Sequence, residues 1–254
     1  MKADKPDVCQ GENDLTGRKE VRTMFIMTVK TLEKNGIGVR TNLLRCLNEH
    51  PAASSFAFWG CYLLSFFLVE HVSRSRYIIL HSPMDEWIPF VKYAVGFYYL
   101  WFVCLAGTFV AFVFFEERKR FLHMYCTIAL CMFSSILFYF LVPTAVNLRP
   151  SSVSGNDIFA SLVRMIWMAD NSCNVCPSLH VSTAFLMDCV WQRSTLLDKP
   201  WQKYAVRLLD IGIILSTVLL KQHSVIDVFA GLLWGFACLR IVTYWMKQRF
   251  SFIF

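Results

Sequence analysis

Six long apolar segments, at about 53–72, 87–115, 121–142, 177–192, 205–222 and 225–246, dominate this chain of 254 residues. About 20 apolar residues in a helix cross the roughly 30 Å of hydrocarbon in a bilayer. The second segment is long enough to tilt or project, whereas the fourth is short and is expected to begin buried among its neighbours. Composition agrees: 56% of residues are hydrophobic, 16% are aromatic and mean hydropathy is +0.46. An ordinary soluble domain is less apolar. The expected fold is an all-α integral membrane protein, a six-transmembrane-helix bundle in one membrane domain over 53–246.

The net charge of +7 is not that of a nucleic-acid binder, because no basic-aromatic module accompanies it. Its distribution instead orients the bundle. Of 25 Lys and Arg residues, nineteen precede the first segment or lie in 118–120, 193–207 and 240–249. Arg74, Arg76, Arg149, Arg164 and Lys221 fall on the other side, and Lys92 lies within the second segment. Cytoplasmic faces collect Lys and Arg, so both termini are expected in the cytoplasm. Residues 1–52 read as a polar tail and a basic amphipathic surface arm: Val21, Met24, Phe25 and Leu32 share a face over Thr16–Lys34. Val39, Leu43, Leu44 and Leu47 then precede Pro51. Residues 247–254 form a short tail. With a compact chain and no recognisable sorting signal, a bacterial cytoplasmic membrane is the expected location.

Cys61, Cys104, Cys126, Cys131, Cys189 and Cys238 lie inside apolar runs and read as small packing residues. Cys173-Asn174-Val175-Cys176 stands apart. Such a pair can be redox-active or half a zinc site, but no second ligand pair has metal spacing, so no metal is expected. Two loop thiols, or a local disulfide in an oxidising space, complete the alternatives.

Ionisable groups at the edges of apolar segments are costly and tend to be functional. Cys176-Pro177-Ser178-Leu179-His180 and Lys221-Gln222-His223-Ser224-Val225-Ile226-Asp227 each put a histidine at such an edge, and Arg149-Pro150 adds a cation. The charge count places all three on the outer face. On a continuous helix Asp227 shares a face with His223, and its carboxylate would fix the imidazole tautomer and leave the other nitrogen as nucleophile. His180 can protonate a leaving oxygen and then activate water. The amides of Ser178 and Leu179, opening a helix at Pro177, point at an anion, and Arg149 and Lys221 can hold its remaining oxygens. Asn156–Asp170 reads as an outer amphipathic helix that frames a lipid entrance or packs over the bundle.

C-P-S-L-H, then H-S-V-I-D some forty residues later, with an earlier R-P, resembles the type 2 phosphatidic acid phosphatase superfamily. That resemblance implies a metal-free, cofactor-free phosphatase or phosphotransferase acting on lipid phosphates through a phosphohistidine. It makes His223 the nucleophile, Asp227 its orienting partner, His180 the acid/base, and Ser178 and Arg149 phosphate ligands. Three positions depart from the family pattern. Leu179 replaces the glycine of P-S-G-H, Val142 stands where a lysine is usual, and Thr217 stands where an arginine is usual, beside a retained Ser216. Lys221 lies four residues after Thr217, within about 40° of it on a continuous helix, and is expected to do the missing arginine's work. Arg164 is a further candidate cation.

The expected function is hydrolysis of a lipid phosphate or diphosphate at the outer membrane face. The P-S-L-H variant and Pro143-Thr144-Ala145 are also similar to inositol phosphorylceramide synthases, where a lipid alcohol accepts the phospho-headgroup. A non-catalytic headgroup-binding member is the third reading, since two cation positions are lost. Expected partners are the lipid substrate and the bilayer.

Overall fold

A computed structural model describes residues 45–71, 76–170 and 172–249. The arm expected over Thr16–Lys34, and Val39, Leu43 and Leu44 after it, lie outside the described residues. The chain divides into two compact units, Met1–Ser54 and Ser55–Phe254. In the first, residues 45–49 are helical and Leu47 is buried.

The second unit is helical apart from its connections. Helix α1, whose first turn belongs to the first unit, covers Pro51–Glu70; α2 covers Pro83–Trp87, α3 Val95–Phe114 and α4 Arg118–Leu141. After them come α5 (Ile158–Ala169), α6 (Leu179–Trp191), α7 (Pro200–Leu219) and α8 (Val225–Arg249). Four stretches are long and apolar enough to cross a membrane: Pro51–Glu70, Lys92–Phe114, Arg118–Leu141 and Val225–Gln248. They make this a multi-pass membrane protein. Their outward side chains, including Leu63, Phe67, Val103, Leu137 and Leu233, are exposed as lipid-facing residues must be. The two remaining expected spans differ from these four. Helix α6 has only 13 residues, about 20 Å. Helix α7 has 20 residues but carries Lys203, Arg207 and Asp210.

The second apolar segment also begins differently from its sequence reading. Ile88 is extended, as a residue before proline prefers, so α2 stops there. A 3-10 turn at Lys92–Ala94 then leads into α3. Residues between these helices bind elsewhere: the Val91 amide donates to the Leu219 carbonyl at 2.9 Å.

Helix α6 is short because it is the inner element, packed by α3, α4, α7 and α8. Val181, Ser182, Thr183, Ala184 and Leu186 on it are fully buried. Its approach to α8 depends on small residues, the usual way for membrane helices to come close. A Cβ on Gly231 would lie 2.8 Å from the Ser178 carbonyl oxygen, and one on Gly235 3.0 Å from that of Ser182. Polar links lock the helix in depth and rotation. Trp101 Nε1 donates to Thr183 Oγ1 at 2.7 Å, Tyr139 Oη to the Pro177 carbonyl at 2.6 Å, and Arg207 pairs with Asp188 at 3.3 Å.

One departure from an all-α reading sits near the start of α6. Strands β1 (Ile78–Ile79) and β2 (Thr144–Ala145) pair in parallel, Ile78 against Thr144 and Ile79 against Ala145. Cys173 bridges to Ala145 from the other side. Non-helical backbone needs hydrogen-bond partners, and crossing connections supply them here. The Cys176 amide on Thr144 Oγ1 and the Asn174 side chain on Glu70 carry this order to the edge of the C-P-S-L-H motif.

Helix α5 packs over the bundle. Asp157 caps it, and Ala160, Val163 and Ile166 are buried against Ala94, Val95, Tyr98 and Leu220. Of the two roles open to this segment, packing is the one observed.

Candidate active site

Two helix ends meet to form the site. At the end of α7, the Gln222 amide donates to the Thr217 carbonyl at 3.0 Å and the Lys221 amide to that of Val218 at 3.1 Å. This is the pattern of a Schellman turn, with Lys221 at the left-handed position usually held by glycine, at φ 58°. The helix therefore ends at Leu219, and Lys221 is not on a continuous helix with Thr217 as its spacing implied. Its Nζ donates to the Asp85 carbonyl oxygen at 2.5 Å.

Helix α8 starts two residues after His223. Ser224 caps it: the Ile226 amide donates to Ser224 Oγ at 3.3 Å, and the Ser224 amide to Asp227 Oδ2 at 3.0 Å. This reciprocal capping box brings Asp227 back toward His223. His223 Nδ1 lies 3.4 Å from Asp227 Oδ2, without hydrogen-bond alignment. The two residues meet as expected, but His223 precedes the helix; the cap, not helical spacing, brings them together. Catalytic hydrogen bonds are commonly long without substrate.

The other motif docks against this turn. Ser178 caps α6, accepting the Val181 amide on Oγ at 3.4 Å, while its own amide meets the Asp227 carbonyl at 3.4 Å. Leu179 is the first helical residue, so its amide has no partner within the helix. Pro177 precedes the cap and does not open the helix itself. His180 is held between Tyr98 and Trp101, with ring centroids 4.2 and 4.1 Å away. Its ring is 6.1 Å from that of His223, and its Nε2 is buried and unpartnered within the chain. Ser178, His223 and Asp227 are all buried.

Arg149 approaches from a third segment. Nη1 donates to the Asp170 carbonyl at 2.9 Å, Nη2 donates to Gln222 Oε1, and Asp170 Oδ1 lies 3.9 Å from Nη2. Burial pulls the guanidinium pKa down while Asp170 opposes the shift. Arg164, on α5, is occupied by the loop before that helix, on the carbonyls of Val153 and Gly155.

A family model described as the PAP2 superfamily, the type 2 phosphatidic acid phosphatases, matches residues 84–241. The chain belongs to the PAP2 superfamily. No curated protein and no solved structure gives a significant match to it. Phosphatases and phosphotransferases make up the superfamily, so membership supports an enzyme acting on a phosphorylated substrate in a membrane.

The matched range begins at Met84, beside a residue that sequence reasoning missed. Asp85 is 2% exposed, and its carboxylate accepts Ser224 Oγ at 2.6 Å and the Val225 amide at 2.8 Å. The amide of Ser82 donates to it as well, completing a capping box on α2. Ser82-x-x-Asp85 was the available signal. It identifies a helix start, not the docking of that helix on the histidine turn. Cys173 and Cys176 are free thiols. Burial pushes the Cys176 thiol up to about 11 and raises that of Cys173. Redox-active pairs usually lower a thiol pKa, and neither thiol here is lowered.

Proposed function

We propose that this PAP2 member is a lipid phosphatase that hydrolyses a lipid phosphate or diphosphate through a phosphohistidine. The observation carrying the reading is the meeting of His180 and His223, from separate helix ends, with ring centroids 6.1 Å apart beside a buried Asp227.

Asp227 holds Nδ1 of His223, and Nε2 attacks phosphorus as the bond to the ester oxygen breaks. His180 donates a proton to the leaving lipid oxygen, then accepts one from water as water displaces His223 and phosphate leaves. Arg149, Ser178, the Leu179 amide and Lys221 form the phosphate-binding edge. Ser178 Oγ accepts the Val181 amide and keeps its own proton to donate. Preorganised donors of this kind supply most of what phosphoryl transfer needs.

The bundle crosses the membrane with all six of α1, α3, α4, α6, α7 and α8, the short α6 being sheltered by protein. Helix α4, 24 residues and about 36 Å long, carries the basic residues 118–120 at its start, at the opposite end from the site. This supports a site facing outward with cytoplasmic termini.

Purified protein in detergent, with a chelator and a panel of lipid phosphates and diphosphates, tests the reading. Inorganic phosphate release that is lost in His223→Ala and His180→Ala is the expected result. A new phospholipid formed only with an added lipid alcohol would make the protein a transferase. Headgroup binding without any turnover, surviving His223→Ala, would make it a binding protein.

A further inference from the structure

Three neighbouring side chains, Arg149, Trp167 and Gln222, each bury a nitrogen without a hydrogen-bond partner: Nε, Nε1 and Nε2 respectively. They are built as one unit. Arg149 donates through Nη1 toward the Trp167 carbonyl at 3.5 Å and through Nη2 to Gln222 Oε1, and its guanidinium lies 5.8 Å from the Trp167 ring centre. The amide orientation of Gln222 follows from this bonding, since its oxygen must face the guanidinium and its NH2 must face away. Gln222 is 2% exposed and directly precedes His223.

A buried donor without an acceptor is unfavourable, and a cluster of such donors marks a place where acceptors belong. All three nitrogens can only donate, so the group they fit is rich in acceptor oxygens and carries negative charge. We propose that Trp167 and Gln222 are phosphate ligands, neutral donors that supplement Arg149 in a site with fewer cations than the family pattern. This assignment deepens the phosphatase reading and rests on it for the identity of the ligand. Protein carbonyls and Gln222 fix both Nη atoms, which leaves Nε for the anion.

Binding of inorganic phosphate to the purified full chain, measured by calorimetry in detergent, tests the assignment apart from turnover. Trp167→Phe removes one N–H and keeps the ring under Arg149. Gln222→Glu keeps the acceptor for Arg149 and removes the amide donor. Each should weaken phosphate binding by about tenfold to a hundredfold, while the thermal midpoint stays within a few degrees of the parent. His223→Ala should still bind phosphate. Parent-like affinity in both variants, or no phosphate binding by the parent, would overturn the assignment even if the protein is a phosphatase. Donor-dependent binding without turnover in the parent would leave the assignment standing and remove the phosphatase reading.

Discussion

Asp85 and Ser224 are 139 positions apart, yet their side chains share a 2.6 Å hydrogen bond inside the protein. With the Val225 amide and the Lys221 ammonium also bound to Asp85, this residue clasps both ends of the turn that carries His223. The histidine is placed by a helix from the entry to the second span, not by the start of α8 alone.

Asp85→Asn exchanges one carboxylate oxygen for an NH2 group facing donors. The expected cost is about 1–3 kcal/mol of stability for each donor left unpaired. Turnover should fall at least as steeply as stability, because the nucleophile sits on the turn that Asp85 holds. Unaltered kcat in a folded Asp85→Asn protein would show that the clasp does not position His223.

Lys221 has both a charge and an unfavourable backbone. Lys221→Met and Lys221→Gly each lose the bond to the Asp85 carbonyl, but only glycine is at ease at φ 58°. The glycine variant should therefore be more stable than the methionine variant by about 1 kcal/mol, read from unfolding in detergent. If the ammonium contributes to phosphate binding, both variants should show the same rise in KM. Equal stability of the two would argue against strain at this turn.

Gly231 allows the approach of α8 to the first turn of α6. Gly231→Ala puts a methyl group 2.8 Å from the Ser178 carbonyl, where backbone must move, at a cost of about 1–3 kcal/mol. Activity should drop, since Ser178 and His180 move with that turn. Gly60→Ala is the control, with nothing within 4 Å of its Cβ.

Cys176 should resist alkylation near neutral pH. Its thiol is pushed up to about 11, so the reactive thiolate is on the order of one part in a thousand at pH 8. The rate of iodoacetamide labelling should climb about tenfold per pH unit between pH 7 and 10. Rapid labelling at pH 7, read by peptide mass spectrometry, would contradict the buried environment.

Much of this site was legible because membranes penalise ionisable residues. His180, His223 and Arg149 stood out at the edges of apolar segments, and the structure brings all three to one end of the bundle. Asp227 was picked out through helical spacing from His223, yet it reaches that residue through a capping box with Ser224, so one carboxylate belongs to both patterns. Asp85, Trp167 and Gln222 were not legible. A carboxylate in the first turn of a short helix, an indole on an amphipathic helix and an amide beside a histidine are ordinary until folding places their partners. The short α6 was anticipated as buried, whereas β1 and β2 were too brief for any alternation to reveal.

The central claim is that His223 becomes phosphorylated. Rapid acid-free quenching of the full chain with a lipid phosphate labelled at phosphorus, followed by peptide mapping, tests it most directly. Acid-labile label on the peptide holding His223, absent in His223→Ala, is the expected result. Turnover of the same substrate with no label on His223, or with label on another residue, would contradict the account.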